Sequence, residues 1–233
     1  MKTFQRSLLG LMLATASLPG VADTFANTSV FSDKSSFLSQ SGATDASGAL
    51  PDVGLTAGGT LTVGSVTITL GAGASQLFSG TGGISGAENE DWTTLLPGAD
   101  IAISGPENLE IALAGPVFSF GFDIVEPQFG PNLNATFVDS SFTVTLRLGG
   151  ATVASFSFDP DNDTAAFVGV WTDSPFDRVS IVETTPLSGG ENEFFGRFYS
   201  GTVALPPPPI PEPGTWAMLA GGLGVLALLR RRR

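Results

Sequence analysis

The chain has 233 residues and contains neither cysteine nor histidine. It therefore cannot use a disulfide, a cysteine nucleophile, a Ser-His-Asp triad, a histidine-ligated zinc or haem, or an iron–sulfur cluster. Between Asp23 and Pro209, four basic residues stand against twenty-one acidic ones, a net charge of −17. A field of that sign repels phosphate backbones and favours cations, so nucleic acid is not expected as a partner.

The N-terminus has the pattern of a cleavable export signal. Lys2 and Arg6 precede a short apolar run, and small residues just before Asp23 fit a cleavage site. The apolar run is shorter than the about 20 residues that a membrane-spanning helix needs. We therefore predict a signal peptide at residues 1–22 and a folded domain at residues 23–204.

One helix is predicted in the body, within "FSDKSSFLSQSG". Ser32 is the expected N-cap and Asp33 lies in the first turn. Phe37 and Leu38 supply an apolar side, and Gly42 is expected to end the helix.

Patterns of alternating apolar residues predict β-strands in the remainder of the body. "GTLTVGSVTITLG" is typical of a hairpin with Gly64-Ser65 at its turn, and "PVFSFGFDIV" places Phe118, Phe120 and Phe122 on one face. Nine or ten such strands, separated by Gly, Pro, Asn and Asp, indicate an all-β fold, an antiparallel β-sandwich of the jelly-roll type. The phenylalanines are expected to fill the interior between its two sheets. The further predicted strands are "ADIAIS", "LEIALAG", "SFTVTLRLGG", "ATVASFSF", "AFVGVW", "DRVSIVE" and "EFFGRFYSG".

The segment "FDPDNDTAAF" is the first candidate site. Asp159, Asp161 and Asp163 alternate as carboxylates do at the start of a calcium-binding loop. The EF-hand pattern then stops, because Thr164 stands at the sixth position and Val170 at the twelfth. Calcium binding by the three aspartates is one interpretation, and a polar turn between two strands is the other.

Carbohydrate contact is a second candidate activity. In "GAENEDW" three carboxylates stand beside Trp92, and acceptors next to an exposed aromatic ring suit sugar hydroxyls and an apolar sugar face. Trp171 is a second candidate ring. The alternative is a solvated loop next to a buried tryptophan.

Glycoside hydrolysis is a third and weaker candidate. It needs two carboxyl groups about 5 Å apart in retaining enzymes and farther apart in inverting ones. Glu110, Glu126 and Glu183 qualify by residue type, but nothing in the sequence places any two of them together.

The C-terminus combines a proline-rich stretch, a short apolar run and four arginines. As a helix, the 16 residues of the apolar run would measure about 24 Å against a bilayer core of about 30 Å. The run is thus marginal as a permanent anchor and adequate as a stop-transfer element that is recognised and cut. We predict a Pro-rich linker at 205–213, a transmembrane segment at 214–229 and a basic cytoplasmic tail at 230–233.

The order of these elements resembles the PEP-CTERM sorting signal, with Pro211, Glu212 and Pro213 as the sorting triplet. The resemblance implies a Gram-negative bacterium, use of the export machinery, transient insertion in the inner membrane and processing there by an exosortase. It also implies a final place at the cell surface or outside the cell, in a setting of exopolysaccharide and biofilm.

The body carries a second resemblance. "FSFGFDIVEP" and "FVGVWTDSPFDRVSIVE" resemble the lectin-like or jelly-roll modules of such proteins.

The leading functional hypothesis is therefore an exported, non-enzymatic surface or matrix protein. A carbohydrate- or calcium-binding module is the alternative, with extracellular polysaccharide as the expected partner and calcium as the candidate cofactor. A glycan-acting hydrolase ranks third.

Overall fold

The computed structural model of the protein describes residues 26–81, 95–127, 129–130, 135–136, 139–185 and 193–204. The predicted signal peptide, linker, transmembrane segment and basic tail all lie outside these residues. Within the described ranges, no helix is long and apolar enough to cross a membrane.

Most of the described chain is antiparallel β-structure, which confirms the predicted all-β class. The first elements are β1 (Thr28–Phe31), α1 (Lys34–Ser41), β2 (Thr44–Asp45), β3 (Gly54–Leu55), β4 (Thr60–Val63), β5 (Val66–Leu70), β6 (Gln76–Gly80) and β7 (Asp100–Ser104). The later elements are β8 (Leu109–Val125), β9 (Phe129–Gly130), β10 (Ala135–Thr136), β11 (Phe142–Leu148), β12 (Ala151–Phe158), β13 (Ala165–Glu183) and β14 (Phe194–Gly201).

Two long strands, β8 and β13, belong to both layers of the fold. Residues 109–113 of β8 pair with β5, and residues 109–112 also pair with the last part of β13. Residues 119–125 of β8 pair with β14 and with the first part of β13. Between these parts the register of β8 and β13 is irregular, which is where the two strands pass from one sheet to the other.

The strand pairing defines the two sheets. Sheet I has the order β4-β5-β8-β13-β11-β12, and sheet II has the order β1-β13-β8-β14-β7-β6-β3, with β2 paired to β14. Apolar residues of both sheets share one buried cluster, so the predicted antiparallel sandwich is confirmed. Within the described part of the chain, the strands β9 and β10 pair only with each other.

The structure corrects the predicted strand boundaries. "LEIALAG" and "PVFSFGFDIV" form the single strand β8, and "AFVGVW" and "DRVSIVE" form the single strand β13. Proline lacks a backbone N–H and normally interrupts a sheet. Pro116 is tolerated within β8 because it lies in the irregular part, between the paired residues Leu113 and Val117.

The interior between the sheets is aromatic, as predicted. Phe122 and Phe195 of sheet II lie 5.9 Å apart between ring centroids, and Phe195 lies 6.5 Å from Phe142 of sheet I. Phe142 also stacks on Phe158, with their centroids 5.1 Å apart. These rings cross the space between the sheets, so burial of their apolar surface stabilises both layers at once.

The predicted hairpin and helix are present. The strands β4 and β5 pair across the Gly64-Ser65 turn. The N-cap of α1 is Asp33 rather than the predicted Ser32, because the Asp33 carboxylate accepts a 2.8 Å hydrogen bond from the backbone N–H of Ser36. Gly42 ends the helix in the left-handed conformation with φ of 66°, as predicted.

Helix α1 covers the outer face of sheet II, where two glycines make room for it. Gly121 and Gly169 are partners across β8 and β13. A Cβ atom on Gly121 would lie 2.6 Å from Cζ of Phe167, and one on Gly169 would lie 2.7 Å from Cδ2 of Phe37. The paired glycines thus let the buried rings of Phe37 and Phe167 lie directly on the backbone.

Gly121→Ala tests this close approach. We expect the free energy of unfolding to fall by about 1–3 kcal/mol, because the added methyl group overpacks the site. Gly115→Ala in the same strand is the matched control, since no described atom lies within 4 Å of the corresponding Cβ position. Urea unfolding of both variants measures the difference, and an equal effect at the two glycines would contradict the packing account.

Asp100, the first residue of β7, is a buried acid. It is 5% exposed, and burial raises its pKa from 3.8 to about 7. The folded chain therefore binds more protons than the unfolded chain between these values. Asp100 consequently stabilises the fold most below its unfolded pKa, and this stabilisation decreases as the pH rises through about 7.

Asp100→Asn should flatten this part of the pH dependence. Wild-type and variant chains are unfolded in urea at pH 4, 5.5 and 7.5. We expect the wild type to lose on the order of 3 kcal/mol more than the variant across this range. The same loss in both chains would show that the Asp100 carboxyl is not the titrating group.

Candidate functional site

A groove of about 780 Å³ opens beside the start of α1. Its walls come from β1, from the loop between β12 and β13 (residues 159–164), and from residues 95–97. Its polar side chains are Ser32, Asp33, Lys34, Asp123, Asp159, Asp161 and Thr164. Its larger apolar side chains are Val30, Phe31, Leu95, Leu96, Pro97, Phe158, Pro160, Phe167 and Val168. Four carboxyl groups against one lysine make this groove acidic.

A lysine, an aspartate and a tyrosine hold one wall of the groove in place. The Lys34 ammonium donates to both carboxylate oxygens of Asp123, at 3.0 and 2.8 Å. The Tyr199 hydroxyl donates to the same carboxylate at 3.0 Å, and the ammonium lies 4.4 Å from the centroid of the Tyr199 ring. Burial lowers the pKa of Lys34, but its hydrogen bonds to Asp123 and Tyr199 outweigh this effect and the pKa is raised. The charge of Asp123 is thus already balanced.

Five carboxyl groups, one of which also lines the groove, gather around Ser140 at one end of the sandwich, and we call them the acidic cluster. They come from the ends of β8, β12 and β13 and from the residues before β11 and β14. Its members are Glu126, Asp139, Asp159, Glu183 and Glu193.

Hydrogen bonds from Ser140 hold the cluster together. The Ser140 backbone N–H donates to Oε1 of Glu126, and its hydroxyl donates to Oε1 of Glu183 at 3.0 Å. The carboxyl group of Glu193 lies beside the same hydroxyl. The other Glu183 oxygen accepts from the backbone N–H of Glu107 at 3.1 Å. One serine therefore joins carboxyl groups of both sheets.

Burial and mutual repulsion disfavour ionisation in the cluster. Burial raises the pKa of Glu126 to about 7; the Ser140 amide opposes this, and the neighbouring carboxylates add to it. Burial raises the pKa of Glu193 to about 8. The hydrogen bond from Ser140 lowers this pKa, and the nearby charges of Glu183 and Glu126 raise it further. The three ion pairs of the described residues all involve acids outside the cluster. No described basic side chain therefore neutralises it.

Three cluster members lie close enough together that they could hold one metal ion. One carboxylate oxygen each from Glu126, Asp139 and Asp159 lie within 4.8 Å of one another. Asp159 also lines the groove, so the trio and the groove share a side chain.

The three aspartates that the sequence suggested as calcium ligands do not form one group in the structure. Asp159 joins this trio, whereas Asp161 is exposed along the groove. Asp163 adopts a left-handed φ of 58°, and its backbone N–H donates to the Glu126 carbonyl at 2.7 Å. Among the described residues, the one group of three carboxylates close enough to share a metal ion consists of Asp159, Glu126 and Asp139. It does not include Asp161 or Asp163.

Of the two tryptophans suggested for carbohydrate contact, the structure describes only Trp171. Trp171 is 4% exposed, so its ring offers no open face to a sugar, and carbohydrate stacking on it was the wrong expectation. Trp92 lies outside the described residues, as does the sorting triplet from Pro211 to Pro213.

The three candidate glutamates are partly brought together. Glu126 and Glu183 both bind Ser140, but both are buried and neither lines the groove. Glu110 lies elsewhere, where it accepts from the Ser180 hydroxyl at 2.6 Å.

Sequence reasoning missed the roles of Glu126, Asp139 and Glu193. A usable signal existed, because Glu126 continues the core-facing phase of Phe122 and Ile124 by one further step of two residues. Glu193 likewise stands two residues before buried Phe195. A glutamate in the core-facing phase at a strand end indicates a buried carboxylate.

Comparisons with known proteins identify the tail. Residues 209–233 match the PEP-CTERM protein-sorting motif, which confirms the resemblance and indicates an exported protein with a membrane-anchored sorting signal. No curated protein matches the chain.

Similar solved structures include mutants of carbohydrate binding module family 29. One has 13% identity and a TM-score of 0.31, with 76% of this chain and 92% of that chain covered. Another has 14% identity and a TM-score of 0.30, with 76% and 93% covered. These scores are low, and the fold assignment rests on the strand pairing.

Proposed function

We propose that the chain is a non-enzymatic cell-surface or extracellular-matrix protein whose sandwich binds carbohydrate in the acidic groove. The groove is the observation that carries the proposal, because it combines acceptor groups with apolar walls in one concave surface. Sugar hydroxyls can donate to the carboxylates of Asp33 and Asp161, while Phe31 and Phe158 can contact the apolar sugar faces.

The charge of the groove restricts the glycan. Of its carboxylates, only Asp123 has an ion-pair partner among the described basic residues, namely Lys34. Polyanionic glycans are therefore disfavoured, and neutral polysaccharides are favoured. An exopolysaccharide of a biofilm matrix is the partner that suits both this groove and the sorting tail.

The position of the glutamates supports a binding role over hydrolysis. A general acid and its partner carboxylate must reach the glycosidic bond. The Glu126 and Glu183 carboxyl groups instead engage Ser140 in the buried end of the sandwich.

Delivery depends on the tail. We propose that the signal peptide at 1–22 starts export, that the apolar segment holds the chain in the inner membrane, and that exosortase cuts near the triplet. The proline-rich linker would hold the triplet clear of the folded body.

Mass spectrometry of the protein recovered from the cell exterior tests this delivery. We expect peptides up to about the triplet and none from the last twenty residues in cells with exosortase. Glu212→Ala should leave the tail attached, whereas Pro207→Ala in the neighbouring linker should be cut normally. Intact Arg233 on surface protein from exosortase-positive cells would contradict processing.

Affinity electrophoresis tests carbohydrate binding. The full chain is run in gels that contain dextran, hydroxyethylcellulose, galactomannan or the exopolysaccharide of the producing strain. We expect at least one polysaccharide to retard it, and Asp161→Asn to weaken that binding about tenfold through loss of a charged acceptor.

Glu110→Gln removes the same charge outside the groove and is the matched control. It should migrate with the wild type in every gel. Equal retardation of the Asp161→Asn chain, or no retardation of the wild type in any gel, would contradict the proposed binding site.

A further inference from the structure

We propose that Glu126, Asp139 and Asp159 form a calcium site that fastens the β12–β13 loop to the end of the sandwich. This site is distinct from the aspartate triplet suggested by the sequence, and it does not depend on carbohydrate binding.

The spacing of the three carboxylates fits one calcium ion. Calcium binds oxygen ligands at about 2.3–2.6 Å, so two oxygens on one ion lie at most about 5 Å apart. The three carboxylate oxygens lie within 4.8 Å of one another. The distances between the three oxygens are therefore compatible with one shared calcium ion.

A buried carboxylate oxygen without a partner points independently to a cation. Glu126 is 0% exposed, and its Oε2 has no hydrogen-bond partner among the described residues. Its Oε1 is already held by the Ser140 amide. Leaving an ionised oxygen buried and unpaired is costly, and a bound cation removes that cost.

Glu193, which lies beside the Ser140 hydroxyl, gives the same indication. It is 1% exposed, and its Oε2 also lacks a hydrogen-bond partner within the described part of the chain. A divalent cation beside Glu126 would lower the electrostatic cost of this second buried carboxylate as well.

Asn162 offers a further oxygen at the edge of the site. Its Nδ2 donates to Oδ1 of Asp139 at 3.1 Å, and its backbone forms a bridge with Glu126. Its buried Oδ1 has no hydrogen-bond partner among the described residues. Amide oxygens are common calcium ligands, and water can complete the coordination at the exposed side.

The ligand set selects calcium over other metals. Every ligand is an oxygen, and the chain has no histidine or cysteine for zinc or copper. Magnesium requires a tighter octahedron and gives up its water reluctantly, whereas calcium accepts irregular sites. Calcium is also bound by extracellular modules at dissociation constants of about 0.1–1 mM.

The site would connect three segments that are distant in sequence. Glu126 follows β8, Asp139 precedes β11, and Asp159 follows β12. An ion bound to all three stabilises the folded chain but not the unfolded chain, because the unfolded chain does not hold the three carboxylates together.

Calorimetry and thermal unfolding of the full chain test the site. After treatment with EDTA, calcium chloride should bind with one equivalent and a dissociation constant of about 0.1–1 mM, and magnesium at least tenfold more weakly. About 10 mM calcium should raise the unfolding midpoint by about 3 °C or more. No calcium heat, or several weak equivalents that magnesium reproduces, would overturn the proposal.

Asp159→Asn and Asp139→Asn should each weaken calcium binding at least about tenfold. Asp161→Asn, which makes the same change in the same loop, is the matched control and should bind calcium within twofold of the wild type. A loss with Asp161→Asn equal to that with Asp159→Asn would overturn the ligand assignment. Asp161→Asn is also the variant that tests carbohydrate binding, where it should weaken binding. Its calcium binding and its carbohydrate binding are measured independently, so one proposal can fail while the other holds.

Glu126→Gln separates ligation from folding. In EDTA this variant should unfold at a temperature equal to or above that of the wild type, because a buried charge is gone. In calcium it should lose the stabilising shift. A variant that keeps the full calcium shift would overturn the role of Glu126.

Discussion

The two long strands β8 and β13 are the constraint on which the rest of the structure depends, because each is shared by both sheets. At its end each carries the core-facing phase on to a glutamate, Glu126 after Ile124 and Glu183 after Ile181. The strands reach the same end of the sandwich from opposite sheets. Their carboxyl groups therefore meet at Ser140 instead of facing solvent.

This arrangement gives the sandwich two unlike regions. Between the sheets, phenylalanine rings bury apolar surface and supply the stability that a chain without cysteine cannot obtain from disulfides. At the end, carboxyl groups repel one another in a body that is already strongly acidic. Asp159 belongs to both the cluster and the groove, so the charge state of the cluster bears directly on the groove wall. A cation there is the simplest way to reconcile dense negative charge with a folded end.

Much of the fold could be predicted from sequence, because strand alternation and turn residues are local signals. The β4–β5 hairpin, helix α1 and the aromatic interior follow from these signals, and the sorting tail follows from the fixed order of its elements. The sequence did not show that four predicted strands form only two, because a proline, Pro116 in β8 and Pro175 in β13, marks an irregular part of a strand and a strand end equally well. Burial of Trp171 depends on what covers the outer face of sheet II. The trio of Glu126, Asp139 and Asp159 depends on contacts between segments that only the folded chain brings together.

The most direct test of the central claim is a crystal structure of the exported protein grown in about 10 mM calcium chloride, with anomalous data collected to locate calcium. The expected result is one anomalous peak about 2.3–2.6 Å from carboxylate oxygens of Glu126, Asp139 and Asp159. A peak centred between Asp161 and Asp163, or no peak at the acidic cluster, would contradict it.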